Sequence, residues 1–533
     1  MSKGYRPSLL GGLIWLGLGV LLLLHNFRIG PDIWTLLGRY WPVLLILLGL
    51  GKILDYFLNR DFSIRVGEVV GILVFLLVGL ALTAVSESHV GAMIRELPIP
   101  IGGTLTRPGS WLGDSHTYVE ERTFPLESRR IKVENSHGGV AIIPGNDKEL
   151  RVRLRKTIYG SEERVRNFAA QLRLSGELSA GGQFLVRTNR ESLSTPVRMF
   201  KTDMELFVPR ESQVQVVNSF GDLTVRNIHG KLDLTTTHGQ LDVRACSGDF
   251  TVSNRYGESR LINLSGSLAL DARGRAYIKD IRGDVTVRNE YSPVEIFDVD
   301  GKTDLSVTEG SVRAENIMKP LSVVARGSHV RLNNIRDSVK AVISHRDADI
   351  SNTDADVKIE SSYATLRIRN IKGNLDINSG FDRVFASDIS GGVKLAGKGS
   401  AVRANSIKGP LDVQTTFKDV FVDGFESSCF VTNQHAGINI SSQSVGKGDI
   451  DVTNNNGSVT LFLPDDAAFS ISASAQNGAI HSGYPGLEPV RKGGDAMLKS
   501  TVNSGGSAIT VQTRYGNINI YRMRDRRNDR SKF

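Results

Sequence analysis

The stretch GDLTVRNIHGKLDLTTTHGQLDVRACSGDFTVSNRYG, residues 221–257, decides the fold. Its glycines stand at Gly221, Gly230, Gly239, Gly248 and Gly257, a spacing of nine. The second and fourth residues after most of them are apolar, as in Leu223/Val225, Leu232/Leu234 and Leu241/Val243. Alternation of that kind is a short strand with one buried face, and nine residues leave room for little more than the strand and a tight turn. Outward from this stretch the register continues through Gly266. After a one-residue deletion it resumes at Gly274, Gly283, Ser292, Gly301 and Gly310, and then passes Asp337 and Ala355 to Gly373, Gly391 and Gly409. Counted from Ser212 to Ala436, the paired slots are apolar in 24 of 26 half-repeats, too regular for separate globular domains.

A second signal doubles the period. The residue two before every other marker is also apolar: Ile228, Leu264, Ile281, Val299, Ile317, Ile335, Ile371, Ile389, Ile407 and Phe425. In the intervening half-repeats the slot is mostly polar, as at Thr237, Arg255, Glu290 and Lys398. One coil is therefore eighteen residues with two unequal sides. The fold expected is all-β, a single-chain parallel β-solenoid of thirteen such coils, which at ~4.8 Å per coil makes a rod about 60 Å long. A single coil cannot bury its apolar row alone, so coils must stack and both ends need caps. Two known periods are excluded. A hexapeptide helix needs an aliphatic residue every six, where this chain has Gln240, Glu258, Arg275 and Ser311. A calcium-binding nonapeptide roll needs Gly-Gly-x-Gly-x-Asp at each turn, which never occurs.

The flanks complete the plan. Residues 127–211 read as a β-rich N-terminal cap with one helix over Ser161–Leu174, whose Val165, Phe168, Ala169 and Leu172 share a face expected to pack over the solenoid end. Residues 212–445 are the solenoid, 446–523 its C-terminal coils and cap, and 87–126 a linker. The tail 524–533 is basic; from Arg522 onward, six Arg or Lys against Asp525 and Asp529 give the last twelve residues +4 of the chain's +9. No nucleic-acid-binding motif accompanies that charge, and nucleic acid is not an expected partner.

Residues 1–86 belong in a bilayer. Ser8–Leu24 and Gly67–Val85 are apolar runs long enough to span, and Tyr40–Gly51 with its apolar flanks makes a third span, giving an α-helical transmembrane segment ahead of the solenoid. Trp34, Tyr40 and Trp41 fall where an interfacial aromatic belt lies. Lys3, Arg6, Lys52, Arg60 and Arg65 outweigh Arg28 and Arg39 across the membrane, which places the N-terminus inside and, after three crossings, exports the large domain. With two crossings the domain would be cytoplasmic. A cleaved signal peptide is disfavoured because Leu21–Arg28 offers no small-x-small site.

Leu10-Gly11-Gly12-Leu13-Ile14, Gly17-Leu18-Gly19-Val20-Leu21 and the run Trp41 to Gly49 resemble the transmembrane region of bacterial LiaI/LiaF-like proteins, tied to the response to cell-wall-active antibiotics. The stretch from Ile131 to Met523 resembles a bacterial candidate-adhesin β-helix family, relatives of the "head GIN" adhesin domains. That likeness is carried by Val133 to Gly139, Thr157 to Gly160, Leu206 to Pro209, Asn218 to Leu223, Gly457 to Pro464 and Gly516 to Ile520. It implies the β-helix fold and an adhesive role, and it brings no catalytic residues or cofactor.

The side chains that could carry chemistry are few. Cys246 and Cys429 occupy inward slots ten coils apart, roughly 48 Å, too far for a disulfide. His229, His238, His329 and His345 fall beside turn markers as solvated residues, and no metal-ligand spacing is present. Asp347, Asp349, Asp354 and Asp356 cluster in sequence, yet the two pairs fall on opposite faces of one coil, so they cannot share a catalytic task. Stacking aligns one outward row, Arg260, Tyr277, Arg313, Arg331, Arg367, Phe385, Arg403 and Phe421, interrupted by Asp242, Glu295 and Asp349. Guanidinium groups and rings on a flat sheet can hold sugar rings or anionic glycans. The same row can equally be ordinary cross-strand pairing.

The expected function is that of a non-enzymatic binding or scaffold module, adhesin-like, fixed in the bacterial cytoplasmic membrane with its large domain outside. Its expected partners are the lipid bilayer and envelope glycans or a membrane signalling protein. An envelope-stress regulator is the second reading and a polysaccharide-active β-helix enzyme the third.

Overall fold

A computed structural model describes residues 114–193, 199–442 and 447–523. The membrane spans expected within 1–86 and the basic tail lie outside the described residues; among those described, no helix is long and apolar enough to cross a membrane. The chain divides into two units, 1–113 and 114–533, and the account below concerns the second.

The solenoid is present as two parallel sheets facing each other across one continuous core. From Gln213–Phe220 to Ile438–Ser441 the chain makes thirteen coils of two strands each. Within one of them, Leu321–Arg326 points Leu321, Val323 and Ala325 inward, and His329–Ile335 points Val330, Leu332 and Ile335 inward. Each pairs with the residue eighteen further on, Val330 with Ala348 and Leu332 with Ile350. Fully burying a Val, Leu or Ile is worth about 1.5–3 kcal/mol. Up to five inward slots per coil carry such apolar side chains, the sixth being mostly Asn, Ser or Thr as at Asn218, Thr236, Asn289 and Asn433, and each row covered by the coil above makes the stack self-supporting.

The doubled period has a backbone cause. One residue before the third inward position, a single residue adopts left-handed φ: Asp280 (57°), Asp298 (57°), Asn316 (59°), Asn334 (55°), Asn352 (56°), Asn370 (55°) and Asp388 (58°). This bend breaks the strict alternation of that strand, so two neighbouring residues face outward and the next, Ile281 or Ile335, turns back into the core. Asn and Asp tolerate this conformation best after glycine. Their side chains also bond along the stack, Asn334 Nδ2 donating to Asn316 Oδ1 at 2.6 Å and Asn316 Nδ2 to Asp298 Oδ1 at 2.7 Å. The second sheet has no such bend, which is why its corresponding slot is polar.

The two half-repeats that break the apolar rule are Ser259 and Thr303, both fully buried. Asn254 Nδ2 donates to Ser259 Oγ at 3.1 Å, which satisfies that hydroxyl inside the core. The one-residue deletion falls in a turn. Arg255 to Glu258 separates two strands in one coil and Arg273 to Arg275 does so in the next, so Leu261 still faces Ile278 and no side chain changes face.

The N-terminal end departs from the sequence reading. β1 (Ser115–Pro125) lies in the stretch expected to be a linker and pairs antiparallel along its whole length with β4 (Glu149–Tyr159). β2 (Arg130–His137) and β3 (Val140–Pro144) form a coil beneath Gln213–Phe220 and Leu223–Arg226. One sheet is closed by β5 (Leu174–Leu178) and β6 (Phe184–Thr188), the other by β1, β4 and β7 (Met199–Val208). The helix, α1 (Glu162–Gln171), therefore does not seal the coil end. It packs on the far ends of β4 and β7 in a separate cluster of Ile158, Val165, Phe168, Ala169, Leu172 and Phe200. Buried Lys156 ties it down by donating to the carbonyls of Ala169 and Leu172 and pairing with Glu120 at 2.7 Å. Antiparallel strands stop a parallel stack because they present an edge out of register with the next coil. The outermost, β1, carries Glu120, Glu121 and Arg122, the charge that discourages a further strand.

At the other end spatial order and sequence order part. Ile450–Asn456 and Val459–Leu463 are followed in space by Ser507–Tyr515 and Ile518–Arg522, and only then by Phe469–Ala475 and Ile480–Ser482. Asp495–Val502 adds antiparallel to Phe469–Ala475, and the short strand Val490–Lys492 pairs antiparallel with it in turn.

Candidate functional site

The outward row predicted from the repeat is in register. Arg260 lies opposite Tyr277, Tyr277 opposite Glu295, Glu295 opposite Arg313 and Arg313 opposite Arg331. Asp349 follows, then Arg367, Phe385, Arg403 and Phe421. The eight side chains thus form one line on one sheet, but their charges are unequally available. Arg260 bonds Glu258 at 3.0 Å, Arg313 bonds Glu315 at 2.9 Å, and Arg367 approaches Asp347 at 3.4 Å and Asp349 at 3.9 Å. Tyr277 leans on Phe297 at 5.8 Å, and the Arg313 guanidinium sits 5.4 Å above that same ring. Arg403 lies 5.2 Å over Phe421, and Arg331 has no ion pair among the described residues. Exposed pairs are worth about 0–1 kcal/mol each, so the carboxylates neutralise the row without adding much stability. The segment with cations and rings to spare is Phe385 to Phe421.

The four aspartates are spoken for separately. Asp347 and Asp349 face Arg367, whereas Asp354 receives Lys372 at 2.8 Å and Arg336 at 3.0 Å, contacts that hold its carboxyl below the usual range. Asp356 accepts the Asn374 amide at 2.7 Å. Cys246 and Cys429 are buried and unpaired; burial pushes both thiols up, Cys429 to about 12, so neither is a thiolate near neutrality. Among the described residues no group of His, Cys, Asp and Glu is arranged to hold a metal ion.

A second line of side chains escaped the sequence reading. At the corner joining the two sheets, rings stack from coil to coil. His137, Phe220, His238 and Tyr256 follow one another at 4.8, 4.7 and 4.7 Å; His345, Tyr363 and Phe381 at 5.6 and 5.4 Å; Phe417 and His435 at 4.6 Å. His238 and His345, expected as isolated solvated residues, belong to these stacks. The slot is the residue immediately before every second marker, so an eighteen-residue count of aromatics there would have found it. In the early coils the following glycine takes the unusual φ, as at Gly221 (131°). From Tyr291 to Phe417 the ring residue takes it itself: Tyr291 at 70°, His345 at 66°, Tyr363 at 56°, Phe381 at 59° and Phe417 at 66°. A left-handed aromatic residue costs about 1–2 kcal/mol, and Tyr291, Tyr363, Phe381 and Phe417 are more than half exposed. Little burial offsets that cost.

Beside this corner Asp382 is 2% exposed, accepting hydrogen bonds from the Ser361 hydroxyl and, at 2.7 Å, the Ala364 amide. Burial raises its pKa above the ordinary value, more than those donors lower it. A raised carboxyl pKa favours the fold fully only below the unfolded value of about 3.9, and that advantage is lost as pH rises through the folded value. Asp382→Asn removes the charge while Oδ1 still accepts the Ala364 amide and Nδ2 donates to the Ser361 hydroxyl oxygen, which turns from donor to acceptor. Urea midpoints at pH 4 and pH 7 should show almost no difference from the parent at pH 4 and a gain of about 1 kcal/mol at pH 7. A gain independent of pH would mean that the carboxylate is not the cost.

Residues 128–521 match the family model for the Toastrack domain, DUF4097, and residues 10–99 that of the LiaF transmembrane domain. Among solved structures, a candidate cell adhesion protein from Clostridium sporogenes ATCC 15579 is 10% identical, with 76% of this chain and 100% of that one covered at a TM-score of 0.14. A candidate adhesin from Bacteroides fragilis NCTC 9343 is also 10% identical, with 49% and 97% covered at 0.19. Superpositions at those scores add nothing to the fold described above. No curated protein matches the chain.

Proposed function

The chain belongs to the Toastrack DUF4097 family and carries a LiaF transmembrane domain ahead of that region, and from this premise we propose that it is a membrane-anchored, non-enzymatic binding and scaffold rod of the bacterial cell envelope. The observation that carries the reading is the unbroken register of the outer face, which sets one outward side chain per coil in line along a flat sheet. Such a surface suits a long, repetitive partner better than a small substrate, because binding sums many weak contacts along a line. The bias of Lys and Arg about residues 1–86 supports an extracytoplasmic rod on a multi-pass anchor in the cytoplasmic membrane.

Two measurements test this. An alkaline-phosphatase fusion after residue 90 should be active; an inactive fusion overturns the export. Co-sedimentation of the full chain in detergent with purified cell-wall sacculi should be retained by the parent and fall about tenfold when Arg367, Phe385, Arg403 and Phe421 are replaced by Ser. Unchanged retention removes that row from the binding face. The LiaF transmembrane match favours a second reading, in which the rod passes envelope damage to a signalling partner through its anchor. A deletion strain that responds normally to wall-active antibiotics would overturn it.

A further inference from the structure

The corner stack is interrupted by glycine at two coils, and the two interruptions differ. At Gly399 (φ 70°) the gap is filled, because Phe381 leans across it: a Cβ there would sit 2.9 Å from Phe381 Cδ1. At Gly327 (φ 60°) no ring leans in, and the nearest neighbour of such a Cβ is Glu309 Cγ at 3.5 Å. A cleft of about 540 Å³ opens here, lined by Glu309, Gly310, Gly327, His329, His345 and Arg346. One face of the His345 ring lies against Tyr363 at 5.6 Å and 18°, which leaves its other face to the cleft. Arg346 makes no ion pair among the described residues, nor does Glu309.

Coils spaced ~4.8 Å put Glu309 and His345 about 9.6 Å apart across the missing ring. Allowing ~1.7 Å for the half-thickness of each wall leaves roughly 6 Å, the room of one ring the stack lacks. The walls differ in chemistry. An imidazole face takes the C–H face of a sugar, Arg346 takes a carboxylate, and Glu309 accepts hydroxyl or amide donors. The Arg346 guanidinium offsets the Glu309 carboxylate, and the His329 and His345 rings add N–H donors, so the lining suits an acidic guest. We propose that the Gly327 cleft is a saccharide subsite that takes one carboxylate-bearing sugar of a glycan lying along the rod. This rests on the binding-module reading and adds to it a ligand class and a position.

The test uses a substitution the fold already accommodates. Gly327→His puts a ring where His345, Tyr363 and Phe381 have theirs at the same left-handed φ, so it should close the cleft and continue the stack. With the full chain in detergent, calorimetric titration uses acidic N-acetylated oligosaccharides and, as the neutral comparison, chito-oligosaccharides. The parent should bind the acidic probe, at least tenfold more tightly than the neutral one. Gly327→His should lose binding tenfold or more with its unfolding temperature unchanged or raised, and Arg346→Ala should abolish the preference for the acidic probe. Equal binding by parent and Gly327→His overturns the cleft while leaving the sacculus result to judge the broader reading. If the parent binds neither probe, the glycan assignment fails whatever the sacculi show. If Gly327→His unfolds, His345→Ala serves instead, with the same tenfold loss expected and unaltered binding overturning the proposal.

Discussion

A chain ending at Gly506 is expected to lose its C-terminal cap as a unit while keeping the coils before it. The missing strands, Ser507–Tyr515 and Ile518–Arg522, lie between two others in each sheet, not at the outside. Removing them takes Ile509, Val511, Ile518 and Ile520, all buried, from above Ile450, Val452, Val459 and Leu461. It also leaves Phe469–Ala475 with nothing on one edge but the antiparallel strand Asp495–Val502 on the other. Four core residues are lost and as many uncovered. In a quasi-one-dimensional stack the damage stays local, since each coil depends on its neighbours. Hydrogen exchange read by mass should show amides of 450–482 exchanging at least ~100-fold faster, equivalent to about 2.7 kcal/mol, with 213–407 unchanged. Retained protection across 450–475 would show that the inserted strands are dispensable.

The second large effect concerns one methyl group. At Gly257 a Cβ would lie 1.5 Å from the Gly239 carbonyl oxygen of the coil below, far inside contact distance, and the obstacle is backbone, which cannot swing away. Gly257→Ala should force two coils apart locally and cost about 3–5 kcal/mol, the range of severe core disruptions. The control is Gly486→Ala. Its φ is 76°, but nothing lies within 4 Å of the added atom, so only the backbone penalty of about 1–2 kcal/mol remains. Urea midpoints of the two variants should differ clearly. Equal losses would show that the coils give way more easily than the close approach implies.

The rod itself was legible in the sequence because its information is local. Each half-repeat carries its own turn marker and its own inward pair, so Leu232/Leu234 and Val420/Val422 can be placed without knowledge of the rest. The asymmetry of the coil showed too, since Ile281 and Ile335 are the direct imprint of a left-handed residue before each. What the pattern hides is order and edge. Ile509/Val511 have the same alternation as Val452 or Ile471, and nothing local says which sits between the others. β1 was read as linker because its residues are half exposed and charged, as an edge strand's must be. The outward row of Arg260 to Phe421 was aligned correctly by counting, yet the partners that neutralise Arg260, Arg313 and Arg367 come from neighbouring slots the count ignored. The corner stack was missed for a related reason. Its members are His, Phe and Tyr in turn, a property shared by shape and not by hydropathy.

The inserted C-terminal strands also set a timetable. Coils from Gln213 to Leu463 can be laid down in the order they are made, each on the one before. Phe469–Ala475 cannot, because the strand it must rest on is made after it. At ~5–20 residues per second, the interval from Ala475 to Arg522 is roughly 2–10 s. Through that interval the top of the rod stands open, and only the arrival of Ser507–Tyr515 and Ile518–Arg522 lets it shut.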